Sequence, residues 1–226
     1  IGSKYYSGSE DVNVGSCLHS KITTFSFHPV KNMTMGEGGA TLTNDQKIDD
    51  KIKLLRNHGI KRSTNPQTPW VYKMDDVGYN YRASDINCAL GLSQLDRLDQ
   101  FVKKRCELVS KYDHYIKELD PLVKPIDRRD GKPAWHLYVV LIDFDNIKIS
   151  RGSLIGELKK LGVGTQVHYI PVHTQPYYKN LYGKLQLPGA EQYYKKCLSL
   201  PVHMHMEEQE VEYVVRSLGR LLGVYG

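Results

Sequence analysis

The sequence predicts an α/β fold, because short apolar or β-branched runs alternate along the chain with longer segments of helical periodicity. Three patterns indicate this: strand, loop and strand over residues 22–43, a long helical stretch over 84–119, and strand–helix–strand–helix order beyond Pro121. A chain of 226 residues can form one large domain or two small ones. We predict two portions, residues 1–95 and residues 96–226, with the long helix as their connector.

Two short runs rich in β-branched and apolar residues, 22–27 and 40–43, predict strands. Turn-forming residues bound both runs, and the segment between them contains Lys31 and the glycine-rich string GEGG. The pattern therefore predicts that Lys31 lies in a loop between two strands.

Helical periodicity begins after this second strand, over residues 46–57, with Asn44 or Asp45 as the N-cap. Residues 60–70 are rich in Pro, Ser, Thr and Asn, which predicts a loop. Ser84 can then cap a helical pattern that continues as one long helix or as two helices joined by a bend.

The C-terminal part has its own alternation of elements. Residues 136–144 and 163–172 predict strands, while residues 150–162 and 207–222 carry amphipathic helical patterns. The second of these helices starts with acidic residues, which favour a helix N-terminus. This order predicts a small α/β domain of a common size.

Composition narrows the class of protein. With 40% hydrophobic and 25% charged residues the chain is typical of a soluble globular protein, and its longest apolar runs are too short to span a bilayer. The four cysteines are widely scattered, which favours free thiols in a reducing cytoplasm. The net charge of +6 is spread along the chain, so an anionic small molecule is a better partner than a nucleic acid.

Taken from the residues alone, Lys31 leaves two interpretations open. A lysine after a turn is usually a solvated charge, and GEGG matches no phosphate-loop or dinucleotide-binding pattern. The same amine, if desolvated, can form a Schiff base with an aldehyde. Ser26 and Asn32 nearby are able to donate hydrogen bonds to phosphate oxygens.

The C-terminal histidines also have two interpretations. His168, His173, His203 and His205 could ligate a metal, since a His-x-His pair on a strand places both rings on one face. No acidic or cysteine partner stands at ligand spacing, so hydrogen-bonded or surface histidines are the better interpretation. We predict no metal site.

The string SFHPVKNMTMGEGG, which contains Lys31, resembles the lysine motif of the DegT/DnrJ/EryC1/StrS family of sugar-nucleotide aminotransferases. Further strings resemble family landmarks in the same order: LLRNHG, VGYNYRASDINCALGLSQLDRLDQFVKKR and VGTQVHYIPVHTQPYY. The resemblance covers nearly the whole chain. It implies a pyridoxal phosphate enzyme of fold type I, with the C-terminal part of a large domain, built on a mixed and mainly parallel sheet, followed by a small domain.

The resemblance assigns cofactor roles to individual residues. It makes Lys31 the Schiff-base lysine and the base that shuttles a proton between the substrate and the cofactor. Ser26 would bind the cofactor phosphate, and Asn80 would bind it across the interface of a homodimer. Arg82, in the same motif as Asn80, would help to bind phosphate or to fold that loop.

The resemblance also implies a substrate. Gln166, His168 and Tyr169 occupy the stretch that contacts the sugar nucleotide in the family, and their polar groups can bind sugar hydroxyls and diphosphate. Family members that remove a sugar hydroxyl carry histidine in place of Lys31, so transamination is implied. The motifs are most similar to those of enzymes that aminate a UDP-4-keto-6-deoxy-hexose of the N-acetyl-altrosamine type with glutamate, for pseudaminic acid or related surface glycans. Family members acting at C3, or on dTDP sugars, share the same motifs.

The opening string IGSKYYSGSEDVNVGS resembles the segment that follows the family's cofactor-binding aspartate. The aspartate, the aromatic ring that stacks on the cofactor and the phosphate-binding turn have no counterpart in these residues. We therefore expect this chain alone to be inactive or nearly so, and the longer polypeptide to be the enzyme. The competing hypothesis is a noncatalytic module that binds a nucleotide sugar or takes part in assembly.

Overall fold

The computed structural model describes residues 1–127 and 131–225, and within them the chain divides into two compact units. The first unit is Ile1–Phe101 with a short segment that ends at Ala134, and the second begins at Val102 and resumes at Trp135. The point of division falls inside a helix, a few residues beyond the boundary predicted between residues 95 and 96. The assignment of the two portions to a large and a small domain stays a prediction.

The first unit contains short strands and two helices. Its elements are β1 (Lys4–Ser7), β2 (Glu10–Asn13), β3 (Thr23–Ser26), β4 (Gly39–Leu42), α1 (Gln46–Arg56), β5 (Ile60–Arg62), β6 (Tyr72–Met74) and α2 (Asp85–Leu95). The predicted strands on either side of Lys31 are confirmed as β3 and β4. The predicted helix after them is confirmed as α1, whose N-cap carboxylate Asp45 accepts from the Lys47 and Ile48 amides.

One expectation for this unit is wrong. Residues 60–70 are not simply a loop, because β5 and β6 pair as an antiparallel hairpin. In the described residues the strands of this unit form three separate antiparallel pairs, and the mainly parallel sheet implied for the whole large domain stays a prediction. The connections explain the antiparallel pairs: parallel neighbours need a crossover of a dozen or more residues, usually with a helix, whereas the segments between these paired strands hold no helix.

The long helical pattern is two helices. α3 (Leu98–Ile116) follows α2 after the turn residues Asp96 and Arg97, and continues into a 3-10 turn, Lys117–Leu119. Ser84 caps α2 as predicted, with its hydroxyl accepting from the Asn87 amide.

The second unit packs helices on a three-stranded antiparallel sheet. Its remaining elements are β7 (Val123–Pro125), β8 (Tyr138–Ile142), α4 (Arg151–Lys160), a 3-10 turn (Val172–Thr174), α5 (Pro176–Tyr182), α6 (Pro188–Lys196), β9 (Cys197–Leu200) and α7 (Glu208–Leu221). β8 is the central strand, between β7 and β9. The buried Tyr112 of α3 stacks on Tyr138 of β8 with ring centroids 4.5 Å apart, so α3 closes one side of this core.

The strand predicted over residues 163–172 is wrong. Only Gln166 pairs there, through a single bridge to Ser199 of β9. Gly164 and Pro171 weaken strand pairing in this run, because Pro lacks an amide donor and Gly adds no packing surface. β9 supplies the third strand instead, and its four residues are too few for a periodicity argument.

Gly59 allows two loops of the first unit to approach closely. Its φ is +68°, and a Cβ there would lie 1.7 Å from the Asp76 carbonyl oxygen. Replacing Gly59 by Ala should cost about 1–3 kcal/mol, because the backbone is left-handed and the loop must move. Hydrogen exchange should show lost protection of the Tyr79 amide, which donates to Leu55. Gly152→Ala is the control, since it lies in α4 with open space around it, and unchanged protection in Gly59→Ala would contradict the prediction.

The α2 helix is apolar on several sides yet largely uncovered in this chain. Ile86 is 83% exposed and Leu92 is 66% exposed, and Gly91 is the one buried residue of the helix. Helices that are hydrophobic all round are normally covered by protein. We expect the purified chain to associate, and Ile86→Glu with Leu92→Glu to reduce this in sedimentation velocity. Leu185→Glu, at an exposed site in the second unit, should leave the association unchanged. A wild-type chain that stays monomeric at every concentration would contradict the expectation.

Candidate active site

The Lys31 loop leaves β3 and returns to β4 within the first unit. Two backbone bonds close it, from the Phe27 amide to the Gly38 carbonyl and from the Met35 amide to the Phe27 carbonyl, both 2.9 Å long. Phe27, Met33 and Met35 are buried and form a small core under the loop. A loop anchored in this way holds its polar residues in defined positions.

Lys31 is partly buried, and its amide donates to the His28 carbonyl at 2.9 Å. Across the described residues, no carboxylate pairs with the Lys31 amine and no acceptor is hydrogen-bonded to it. This differs from other lysines of the first unit such as Lys51 and Lys61, which pair with Asp76 and Asp75. The amine of Lys31 is therefore available to bond a ligand.

Asn32 is 8% exposed, and its amide nitrogen donates to the Ala134 carbonyl at 2.7 Å. The nitrogen that we expected to be a phosphate donor thus has a backbone partner. Its carbonyl oxygen Oδ1 is buried and has no hydrogen-bond partner among the described residues. A buried acceptor without a partner is able to take a hydrogen bond from a ligand or a water molecule.

Ser26 is the last residue of β3, opposite Gly39 of β4, and is exposed. Its hydroxyl oxygen makes a long contact of 3.5 Å with the His28 amide, so the hydroxyl can still bind a ligand. A Cβ at Gly39 would lie 2.7 Å from the Phe25 carbonyl oxygen. At least this glycine of the GEGG string is therefore required for close pairing of the two strands.

Asn80 and Arg82 lie on a second loop of the first unit, and both are exposed. Asn80 forms a bridge with Asn57, just after α1. The Arg82 guanidinium donates to the Asn57 side-chain oxygen at 2.7 Å, which ties the loop to the end of α1. This contact supports the role of Arg82 in folding this loop, and its role in binding phosphate stays a prediction.

Gln166, His168 and Tyr169 lie in the second unit, in the segment before the 3-10 turn. Gln166 and Tyr169 are exposed, Tyr169 by 69%, while His168 is partly buried and packs edge-on against the Tyr169 ring at 4.5 Å. The His168 Nδ1 atom is 2.7 Å from the Ser199 hydroxyl. The structure thus brings His168 and Tyr169 into contact, and Gln166 lies two residues before His168 in the same segment.

The predicted site residues thus fall into three local groups. Two lie in the first unit: Lys31 with Ser26, and Asn80 with Arg82. The third, in the second unit, is the segment of Gln166, His168 and Tyr169. Sequence reasoning missed the residues that hold these groups in place, such as Ser199. A serine inside the otherwise apolar string CLSL was the available signal, because a buried hydroxyl needs a partner.

Residues 1–127 and 131–225 contain no group of three or more His, Cys, Asp or Glu side chains arranged to hold a metal ion. Their helices include none with the length and apolar character needed to cross a membrane.

The α/β fold and the anchored loop that carries Lys31 are the features that the family resemblance implied for this chain. Residues 2–219 match the model of the DegT/DnrJ/EryC1/StrS aminotransferase family. The chain belongs to this family, which confirms the resemblance and the predicted fold class.

Named relatives agree with this assignment. The chain is 39% identical over 202 residues to a UDP-4-amino-4,6-dideoxy-N-acetyl-beta-L-altrosamine transaminase of Campylobacter jejuni, covering 89% of this chain and 52% of that one. It matches the structure of Helicobacter pylori PseC, an aminotransferase involved in the biosynthesis of pseudoaminic acid, with a TM-score of 0.87 and 30% identity, over 98% of this chain and 57% of that one.

A third match is the PLP-form of the putative sugar aminotransferase Spr1654 from Streptococcus pneumoniae, with a TM-score of 0.82 and 28% identity, over 100% of this chain and 56% of that one. In all three comparisons this chain spans little more than half the length of its relative. The activity of the whole protein is accordingly a matter for proposal.

Proposed function

We propose that the protein carrying this chain is a pyridoxal phosphate-dependent sugar-nucleotide aminotransferase. It transfers the amino group of glutamate to the C4 ketone of a UDP-4-keto-6-deoxy-hexose of the N-acetyl-altrosamine type, for pseudaminic acid or related surface-glycan biosynthesis. The observation that carries the proposal is the partly buried, unpaired amine of Lys31 on an anchored loop.

The residues of the Lys31 loop fit pyridoxal phosphate. Lys31 offers a primary amine for the aldehyde, Ser26 offers an exposed hydroxyl for the phosphate, and the Asn32 Oδ1 atom is a buried acceptor without a partner among the described residues. When bound, this cofactor supplies an electron sink that stabilises a carbanion at the substrate carbon. Asn80, on an exposed loop, would reach the phosphate held by a second copy in a homodimer.

Lys31 then acts as the general base. Its amine takes the proton from the α-carbon of glutamate and later delivers a proton to the carbon that bore the ketone of the sugar. This role requires an amine that is not held by a carboxylate. Among the described residues, no carboxylate pairs with the Lys31 amine. Lys51 and Lys61, which are paired, lack that property.

Gln166, His168 and Tyr169 form the proposed sugar-nucleotide contacts. An amide, an imidazole and a phenol can bind hydroxyl groups and diphosphate oxygens in several orientations. The net charge of +6 favours approach of an anionic nucleotide. The proposed partners are thus glutamate and a UDP-linked keto sugar, without nucleic acid, and the proposed location is the cytoplasm.

A mass-spectrometric assay tests this function. The full-length protein, incubated with pyridoxal phosphate, glutamate and the UDP-4-keto sugar, should form the UDP-4-amino sugar and one equivalent of 2-oxoglutarate. Preference for a dTDP-linked or 3-keto sugar would replace the substrate assignment, and amino transfer to no keto sugar would refute the function. We expect the 226-residue chain assayed alone to give little or no product.

A further inference from the structure

Ser199 is a buried polar residue in an apolar strand. It is 4% exposed, and in β9 it stands between the fully buried Leu198 and the almost fully buried Leu200. Its amide donates to the Gln166 carbonyl at 2.7 Å, and the Gln166 amide donates back to Ser199 at 3.2 Å. The two residues are therefore paired through the backbone, whatever the side chain at position 199.

The Ser199 hydroxyl makes a separate contact. It is hydrogen-bonded to the Nδ1 atom of His168 at 2.7 Å. Burying a hydroxyl costs free energy unless it finds a partner, and an alanine would fill the strand without that cost. The hydroxyl is thus better explained by what it does to the His168 ring than by the packing of β9.

The hydroxyl of Tyr193 holds the backbone of His168. The Tyr193 hydroxyl, on α6, donates to the His168 carbonyl at 3.0 Å. Burial raises the pKa of the Tyr193 phenol, so it remains a donor across the neutral range. His168 is therefore held by its ring from β9 and by its backbone from α6.

His173, at the C-terminal end of the segment that begins at Gln166, is also bonded to α6. His173 is buried and its Nε2–H group donates to the Glu191 carboxylate at 3.1 Å, which lowers the pKa of Glu191 below its ordinary value. The Leu187 amide donates to the same carboxylate at 3.2 Å. The segment from Gln166 to His173 is consequently anchored on both sides of the exposed Tyr169 ring.

We propose that Ser199 and Tyr193 are positioning residues for the binding of the nucleotide sugar. Neither needs to touch the ligand: they fix the His168 ring and backbone, so that His168 and Tyr169 meet the sugar hydroxyls and diphosphate without a further loss of conformational freedom. Preorganised side chains bind more tightly because less entropy is lost on binding. This inference rests on the proposed function, and it adds residues that the sequence motifs do not contain.

Ser199→Ala and Tyr193→Phe in the full-length protein test the inference. Each should raise KM for the UDP-keto sugar by about tenfold, as expected for the loss of one hydrogen bond in a binding site. The KM for glutamate should stay unchanged and kcat should stay within about twofold. Tyr213→Phe is the matched control, since its hydroxyl donates to the Leu161 carbonyl at 2.9 Å and it should change none of these values.

A double-mutant cycle separates positioning from general stability. If Ser199 acts through the His168 ring, Ser199→Ala should have no further effect on KM once His168 is alanine. Effects that simply add, or an equal rise in KM for glutamate, would overturn the inference.

A measurement that does not depend on turnover keeps the inference separate from the proposed function. In histidine-ring NMR spectra of the full-length protein, Ser199→Ala should shift the His168 signals and leave those of His203 and His205 in place. Unshifted His168 signals would overturn the positioning role even if the enzyme is active. Absence of amino transfer by the wild-type protein, with the shift observed, would refute the proposed function alone.

Discussion

Replacing Lys31 by alanine should lower amino transfer by at least about 10³-fold in the full-length protein, because one side chain supplies both the covalent anchor of the cofactor and the general base. The loss should appear in kcat as well as in kcat/KM, since the base acts in the transition state. The visible absorbance of the covalently held cofactor should disappear in the same variant. Both readouts depend on the partly buried and unpaired amine of Lys31.

Two control variants make this result specific. Lys31→Arg keeps a positive charge in the loop but has no amine able to bond an aldehyde, so it should be as inactive as the alanine variant. Lys53→Ala removes an exposed lysine of the same unit that pairs with Asp49, and it should remain active. Substantial turnover by Lys31→Ala would contradict the role given to this residue.

Local signals explain the parts of the fold that the sequence predicted. Asp45 and Ser84 cap their helices within three residues of the groups they bind, so the information lies close along the chain. The same holds for the turn residues that separate β3 from β4. The last helix, α7, has a capping box between Glu207 and Glu210, in agreement with its acidic start.

The incorrect or missing predictions involve contacts between distant parts of the chain. The run over residues 163–172 has the composition of a strand, but its available partner, β9, pairs with it only at Ser199. The Asn32 amide finds its partner at Ala134, 102 positions away in the sequence. No periodicity or propensity encodes such pairings, because tertiary packing overrides local preference.

For the candidate site, the sequence supplied the reactive residues and missed their supports. Lys31 is identifiable because its motif resembles a family motif. Spacing alone does not distinguish a Schiff-base lysine from a solvated charge at this position. The residues that fix His168, which are Ser199 and Tyr193, lie 31 and 25 positions away from it. A supporting residue is defined by its contacts, so it becomes visible only when the fold is known.

Arg105 is the buried charge for which we predict the largest loss of stability. It lies in α3 with 5% exposure, and its Nη1 atom donates to the carbonyl oxygens of Val202 at 2.9 Å and Trp135 at 3.1 Å. Burial lowers the pKa of the guanidinium, although not enough to prevent an arginine from being charged at neutral pH. The side chain thus joins three separate segments of the second unit through charge-assisted bonds.

Arg105→Ala should lower the free energy of unfolding by about 3–5 kcal/mol, since two carbonyl groups lose a charged donor and the aliphatic stem leaves a cavity. Arg105→Met restores most of the apolar volume but no donor, so it should recover only part of the loss. Urea unfolding followed by Trp135 fluorescence, in a Trp70→Phe background, would report on the second unit alone. These are the only two tryptophans of the chain.

The comparison between the two variants decides what the guanidinium contributes. Removing a buried charge also removes its desolvation cost, and a well-packed apolar side chain can therefore be as stable as the charge it replaces. If Arg105→Met is as stable as the wild type, the hydrogen bonds merely offset that cost and our prediction is wrong. Arg216→Ala, which breaks an exposed pair with Glu212 on α7, should change stability by no more than about 0.5 kcal/mol and calibrates the measurement.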